Sequence, residues 1–227
     1  MMYDLKTINI LNSVAKRYPE RFTDVCNSLN ENQQKSKYWL IEKLNEYKED
    51  WNGKDKSTGI NVAVLTGWYG MLAYILVDEF KLQRINNIDC HDYDPLSKNV
   101  GRLMFSKLDA ENIKKGKSTY INYKIKDLRK SDSKYYKDIQ LVTLTSCEHL
   151  EQETINTLLS RKVKGGTLVV LQSNNYRDCN QHINTSNDIS EFRGLYTDIL
   201  VDMKCYIKSF VNYDRYMIIG VTKRVEQ

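Results

Sequence analysis

The stretch Val62–Phe80, VAVLTGWYGMLAYILVDEF, decides the fold. It begins as a short apolar run that reads as a buried strand. From Met71 it continues as a longer apolar run that reads as a helix. Between them lies Thr66-Gly67-Trp68-Tyr69-Gly70, a tight glycine turn. Strand, glycine turn and helix together form the opening unit of an α/β sheet, whose ligands bind beyond the C-terminal ends of the strands. A loop of this kind usually carries more glycine, because bound groups come close to its backbone. Here two large aromatic residues stand between the two glycines.

The same texture continues downstream. Residues 60–66, 86–93, 118–126, 139–145 and 166–173 read as strands. The segments MLAYILVDEFKL, DPLSKNVGRLMFSKLD and LEQETINTLLSRKV read as the helices between them. This alternation predicts right-handed crossovers and a parallel sheet. The end of the chain differs. Two strand-like runs flank Asn212–Asp214 with no room for a helix, which predicts an antiparallel hairpin on one sheet edge.

Upstream, residues 3–50 read as helical. Tyr38, Leu40, Ile41, Leu44 and Tyr47 recur at helical spacing with charges between them. The polar stretch NGKDKSTGI then reads as a linker. The expected organisation is a helical cap over residues 1–57 and a Rossmann-like domain over residues 58–227.

Composition narrows the classes. The chain has 227 residues, 41% hydrophobic and 28% charged, an ordinary globular balance. Its net charge of +5 is spread along the sequence, whereas a dedicated nucleic-acid binder concentrates its basic residues. The densest basic run is Lys114, Lys115 and Lys117, continued by Lys124, Lys126, Arg129 and Lys130. It reads as a solvated loop and strand edge before a phosphate-binding patch. Five dispersed cysteines without a Cys-x-x-Cys pair argue against a disulfide framework and a structural zinc site, and no metal site is expected. No apolar window reaches the length of a membrane span, and the N-terminus lacks a signal-peptide core. The expectation is a cytoplasmic protein with no membrane partner.

The strand ends carry the candidate chemistry. The second strand ends in Asp92-Tyr93-Asp94-Pro95. A carboxylate there accepts hydrogen bonds from both hydroxyls of a ribose, so Asp92 is the expected ligand residue, while Asp94 caps the helix that begins at Pro95. Asp127, after the third strand, borders the same crevice. The fourth strand ends in Thr145-Ser146-Cys147-Glu148-His149, and the fifth in Ser173-Asn174-Asn175-Tyr176. Next comes a polar loop containing His182, which is expected to rim a substrate pocket.

In this order the features resemble class I S-adenosylmethionine-dependent methyltransferases, over roughly residues 58–223. They are also similar to uncharacterised methyltransferase-like proteins of tailed phages. The resemblance implies a mostly parallel seven-stranded sheet closed by the C-terminal antiparallel hairpin, with S-adenosylmethionine as cofactor. Gly67, Trp68 and Gly70 would flank its methionine part. Asp92 with Tyr93 would hold the ribose, and Asp127 with Leu128 the adenine. Thr145 and Ser146 would line the floor near the sulfonium. Glu148 and His149 stand where a general base would act, and Asn174, Asn175, Tyr176 and His182 would face the acceptor. The chain departs from the family in one loop. Val64 occupies the place of an acidic residue, and Thr66 and Trp68 occupy those of the first and middle glycines, so that Gly67 is shifted by one. A ring beside a sulfonium gains cation–π attraction, which would give Trp68 a use; the alternative is that Trp68 and Tyr69 pack beneath the N-terminal helices.

Other classes lack their signatures. The chain has no Gly-x-Gly-x-x-Gly, no Gly-x-x-x-x-Gly-Lys-Ser/Thr and no Gly-x-Ser-x-Gly. The Asp/Asn-Pro-Pro-Tyr/Phe motif of DNA amino-methyltransferases is missing after strand four, and Cys147 has no proline before it. The acceptor stays open between a small molecule and an exposed group on a macromolecule. RNA is a disfavoured alternative, and a non-catalytic binding or assembly role is another. Oligomeric state is not legible.

Overall fold

The computed structural model describes residues 5–53, 58–114 and 120–224, with side chains described for 8–53, 58–105 and 121–224. Lys115 and Lys117 of the basic run, and residues 54–57 of the expected linker, lie outside the described residues.

Seven strands form one sheet: β1 (Ile60–Leu65), β2 (Ile85–Asp92), β3 (Tyr120–Ile125), β4 (Leu141–Leu144), β5 (Leu168–Asn174), β6 (Leu200–Ser209) and β7 (Asp214–Thr222). Their order is β3-β2-β1-β4-β5-β7-β6. The first five strands are parallel, β7 runs antiparallel to β5, and β6 pairs antiparallel with β7 as the closing hairpin. The order reverses between β1 and β4, which opens a crevice at the C-terminal ends of those strands.

The central strands β1, β4 and β5 are largely apolar because both faces are covered. Along β1, Val62 and Val64 belong to one hydrophobic cluster and Ala63 and Leu65 to the other. The first cluster packs against α4 (Met71–Glu79) and α5 (Pro95–Lys114), the second against α7 (Gln152–Thr157) and α8 (Ile189–Gly194). Edge strand β6 is more open instead, with Lys204 and Ile207 exposed and Lys208 half-buried.

The helical N-terminal region resolves into α1 (Leu5–Arg17), α2 (Phe22–Ser28) and α3 (Glu31–Asn45). Pro19 opens a short 3-10 turn between the first two. Asn30 begins the third, its side chain accepting from the Gln33 N–H at 2.9 Å. Val14, Val25, Trp39, Leu40 and Leu44 are buried in the same cluster as Val62 and Val64, so these helices complete one face of the sheet. Strand boundaries lie within two residues of those the apolar runs suggested, with β2 starting one residue earlier and β5 ending one later. The helix expected over residues 150–163 is α7 followed by a π-helical turn, Leu158–Lys162. The short α6 (Ser133–Tyr136) and α8 were not expected from periodicity. Among the described residues no helix is long and apolar enough to cross a membrane.

Candidate functional site

The turn after β1 keeps a left-handed backbone at alternate positions. Thr66 has φ 48°, Trp68 φ 49° and Gly70 φ 89°. A non-glycine residue with positive φ is uncommon, and for β-branched Thr66 it is an outlier. Gly67, by contrast, lies outside the left-handed region and is required for closeness. A Cβ there would sit 2.4 Å from the Cys90 sulfur of the neighbouring strand, and its N–H donates to the His91 carbonyl at 2.8 Å. The two aromatic residues divide the roles open to them. Tyr69 is buried in the core beside Arg21 and Asp24 of the helical cover. Trp68 stacks on it at 5.3 Å and also lines a small chamber above β1.

Asp92 ties this turn to β2. One carboxylate oxygen accepts from the Trp68 N–H at 2.9 Å and the other from the Asp94 N–H at 3.0 Å. Burial pushes its pKa up, opposed by those backbone donors. Asp94 caps α5 through the Leu96 N–H at 2.9 Å and also meets Arg21 at 2.6 Å.

Beside Asp92 opens a cleft of about 290 Å³. Thr66, Tyr93, Asp127, Leu128, His149 and Ile183 are among its walls. Asp127 there caps a 3-10 turn through the Arg129 N–H and is gripped by the Arg129 guanidinium at 2.9 and 3.0 Å. These contacts hold its pKa below the usual carboxylate range.

A second, smaller chamber of about 90 Å³ lies under α3. Gly67, Trp68, Thr145 and Ser146 line it from the sheet, and Ser28, Gln33 and Lys37 line it from the helices. Thr66 and His149 belong to both spaces, so the two meet there. The chamber is strongly polar. Glu148 is 3% exposed, with Oε1 accepting from Asn174 at 2.8 Å and lying 3.6 Å from Arg215. Arg215 also donates to the Thr145 carbonyl and to Gln172, which Ser36 of α3 reaches at 3.2 Å. Burial and the neighbouring Arg215 guanidinium pull the Lys37 ammonium down to about 7.

Asn174, Asn175, Tyr176 and His182 do not line either space. Asn174 is committed to Glu148, and the Asn175 side chain accepts from the Asp214 N–H at 2.8 Å. The Tyr176 carbonyl accepts from His182 Nδ1 at 2.6 Å. They build the wall behind Glu148 and His149. Of the loop that follows β5, Ile183 reaches the larger cleft. Sequence reasoning missed Arg215, although a charge in the apolar run of β7 was a visible signal. Of the segment Gln33–Lys37, Gln33 and Lys37 face the chamber while Lys35 pairs with Glu31 on the outside.

No family model matches the sequence, and no curated protein matches it. Solved structures do match. An O-methyltransferase family protein from Burkholderia thailandensis aligns with TM-score 0.53 and 12% identity over 97% of this chain and 72% of that one. N-methyltransferase NodS from Bradyrhizobium japonicum WM9 aligns with TM-score 0.54 and 10% identity over 87% and 99%. The small RNA methyltransferase HEN1 aligns with TM-score 0.60 and 14% identity over 86% of this chain but 26% of its own. The fold is therefore that of the class I methyltransferases.

Proposed function

We propose that the chain transfers a methyl group from S-adenosylmethionine to an acceptor that is either a small molecule or an exposed group on a macromolecule. The observation that carries this reading is the pairing of the left-handed turn at Thr66, Trp68 and Gly70 with the Asp92 carboxylate, at the reversal point of the sheet. The residues fit the cofactor. The larger cleft has a carboxylate at its ribose end and Leu128 on its wall for a base, and it joins a polar chamber in which an amino-acid tail finds both charges.

The bound cofactor supplies an electrophilic methyl on a sulfonium. The chain's part is positioning, charge complementarity and exclusion of water. Asp92 would accept the ribose hydroxyls on lone pairs that its two backbone donors leave free. Trp68 would offer a ring face to the sulfonium. Arg215 and Lys37 suit the carboxylate of the tail. His149 stands at the junction of the two spaces. Its Nδ1 lies 3.1 Å from the Gln181 carbonyl, which only accepts, so the proton sits there and the other nitrogen presents a lone pair. Glu148 is held at Oε1 by Asn174 and Arg215.

Isothermal titration with S-adenosylmethionine and S-adenosylhomocysteine tests the reading, with NAD as the control. Micromolar binding of the sulfonium pair, weakened at least tenfold by Asp92→Ala, is expected. Absence of binding to both would end the enzymatic reading and leave a binding or assembly role on the same fold.

A further inference from the structure

Glu148, His149 and His182 meet in one place. One carboxylate oxygen and one nitrogen from each imidazole lie within 4.8 Å of one another. His182 is 33 positions beyond His149, so the juxtaposition is made by the fold. The backbone fixes it: the Glu148 carbonyl accepts from the Ile183 N–H at 2.8 Å and from the Asn184 N–H at 3.1 Å, which fastens the His182 loop to the 3-10 turn Cys147–His149 after β4. The two rings stand edge to face, 4.7 Å apart.

The donor chemistry is equally specific. Each histidine directs Nδ1 at a backbone carbonyl, Gln181 for His149 and Tyr176 for His182. A carbonyl only accepts, so both Nδ1 atoms carry protons and both Nε2 atoms are left with lone pairs. A second hydrogen bond of this kind is the usual support of a metal-bound imidazole. Glu148 is nine-tenths buried, and its Oε2 has no hydrogen-bond partner. A buried carboxylate oxygen left bare is costly unless something fills the gap.

We propose that Glu148, His149 and His182 bind a divalent first-row transition ion of the Zn²⁺ or Co²⁺ type. Two imidazoles and a carboxylate suit such borderline ions better than Mg²⁺, which prefers oxygen. The Arg215 guanidinium repels a cation, and it is committed to Oε1 of Glu148 and to the Thr145 carbonyl. Bonds of about 2.0–2.1 Å around a tetrahedral ion bring ligand atoms to roughly 3.3 Å from one another, so ligand atoms within 4.8 Å close by up to about 1.5 Å on loading. Three protein ligands leave a position for an oxygen ligand. Because His149 borders both clefts, that position belongs to the acceptor. This last role rests on the methyl-transfer reading, whereas ion binding itself does not.

The test uses tag-free full-length protein stripped with a chelator and titrated calorimetrically with Zn²⁺ and Co²⁺. One equivalent binding in the micromolar range or tighter is expected, with affinity reduced at least tenfold in His149→Ala and His182→Ala. S-adenosylhomocysteine titration and circular dichroism of His182→Ala should match the parent, because His182 lines neither cleft. If that variant loses its fold, His182→Gln, which keeps a donor for the Tyr176 carbonyl, replaces it. Absence of saturable binding overturns the proposal. So does binding unchanged in the variants, which would assign the ion to another group such as the Cys179 thiol. If the nucleoside binds and the ions do not, the metal site falls alone; the reverse result removes the cofactor reading. Adding acetohydroxamate should change the visible spectrum of the Co²⁺ form, and an unchanged spectrum would refute the open position.

Discussion

At the scale of single residues, the turn after β1 separates two uses of glycine. Gly70 provides a left-handed φ of 89°, and a Cβ there would stand 2.6 Å from the Tyr123 hydroxyl. Gly67 provides only room beside Cys90. Thr66 holds a left-handed φ of 48° without being glycine. Left-handed backbone costs an L-residue about 1–2 kcal/mol, and a glycine gives back about 0.5–1 kcal/mol in chain entropy. Thr66→Gly should therefore be neutral or stabilise by up to about 1 kcal/mol, while Gly70→Ala should destabilise by about 1–3 kcal/mol. Urea denaturation measures both, and equal losses in the two variants would contradict the strained turn. The turn's place was legible in the sequence, since a strand, two glycines and a helix leave few alternatives. So was its register: Thr66 and Trp68, read in the places of the first and middle glycines, keep the left-handed backbone of those places, and Gly67 is the displaced member. The contact that holds the turn was not legible, because the Asp92 carboxylate reaches the Trp68 N–H from another strand.

At the scale of elements, α3 is the lid of the smaller chamber. Its Ser36 reaches Gln172 on β5, and its Lys37 faces the chamber near Arg215, with Gln33 as hydrogen-bond partner at 2.6 Å. With a folded pKa of about 7 against an ordinary 10.5, Lys37 binds its proton more weakly in the folded chain than in the unfolded one. Stability from this group is thus lowest below pH 7 and rises between pH 7 and 10.5. Lys37→Met should raise the melting temperature most at pH 6, and the gain should shrink by pH 9.5. A gain independent of pH would show that Lys37 sits in an ordinary solvated environment. The central strands β1, β4 and β5 were legible because both faces of the sheet are covered there, which writes them as largely apolar runs. The inward lysine was only half legible, since Gln33, Lys35 and Lys37 look alike in a charged helix and the sheet beneath decides which of them turn inward. The His149–His182 pairing was not legible, because a long polar loop has no period from which a return point is read.

At the scale of the whole molecule, the boundary expected near residue 57 separates two textures of sequence. Val14, Val25, Leu40 and Leu44 are each fully buried, and all share a cluster with Val62, Val64 and Leu76 from the β1–α4 unit. The linker's start is anchored as well, with the Asn52 N–H donating to the Gly166 carbonyl at 2.9 Å and its side chain to Gly165 at 2.7 Å. Arg21, between α1 and α2, grips Asp94 at the start of α5 at 2.6 Å. A cover joined in this way melts with the sheet it covers. Leu40→Ala, which empties a fully buried site, should cost about 2–5 kcal/mol. The loss should lower the whole transition and not detach an early helical one. Calorimetry, with far-ultraviolet dichroism and tryptophan fluorescence followed in parallel, should give one coincident transition for parent and variant alike. Two transitions, with only the first shifted, would make the cap a separately melting unit.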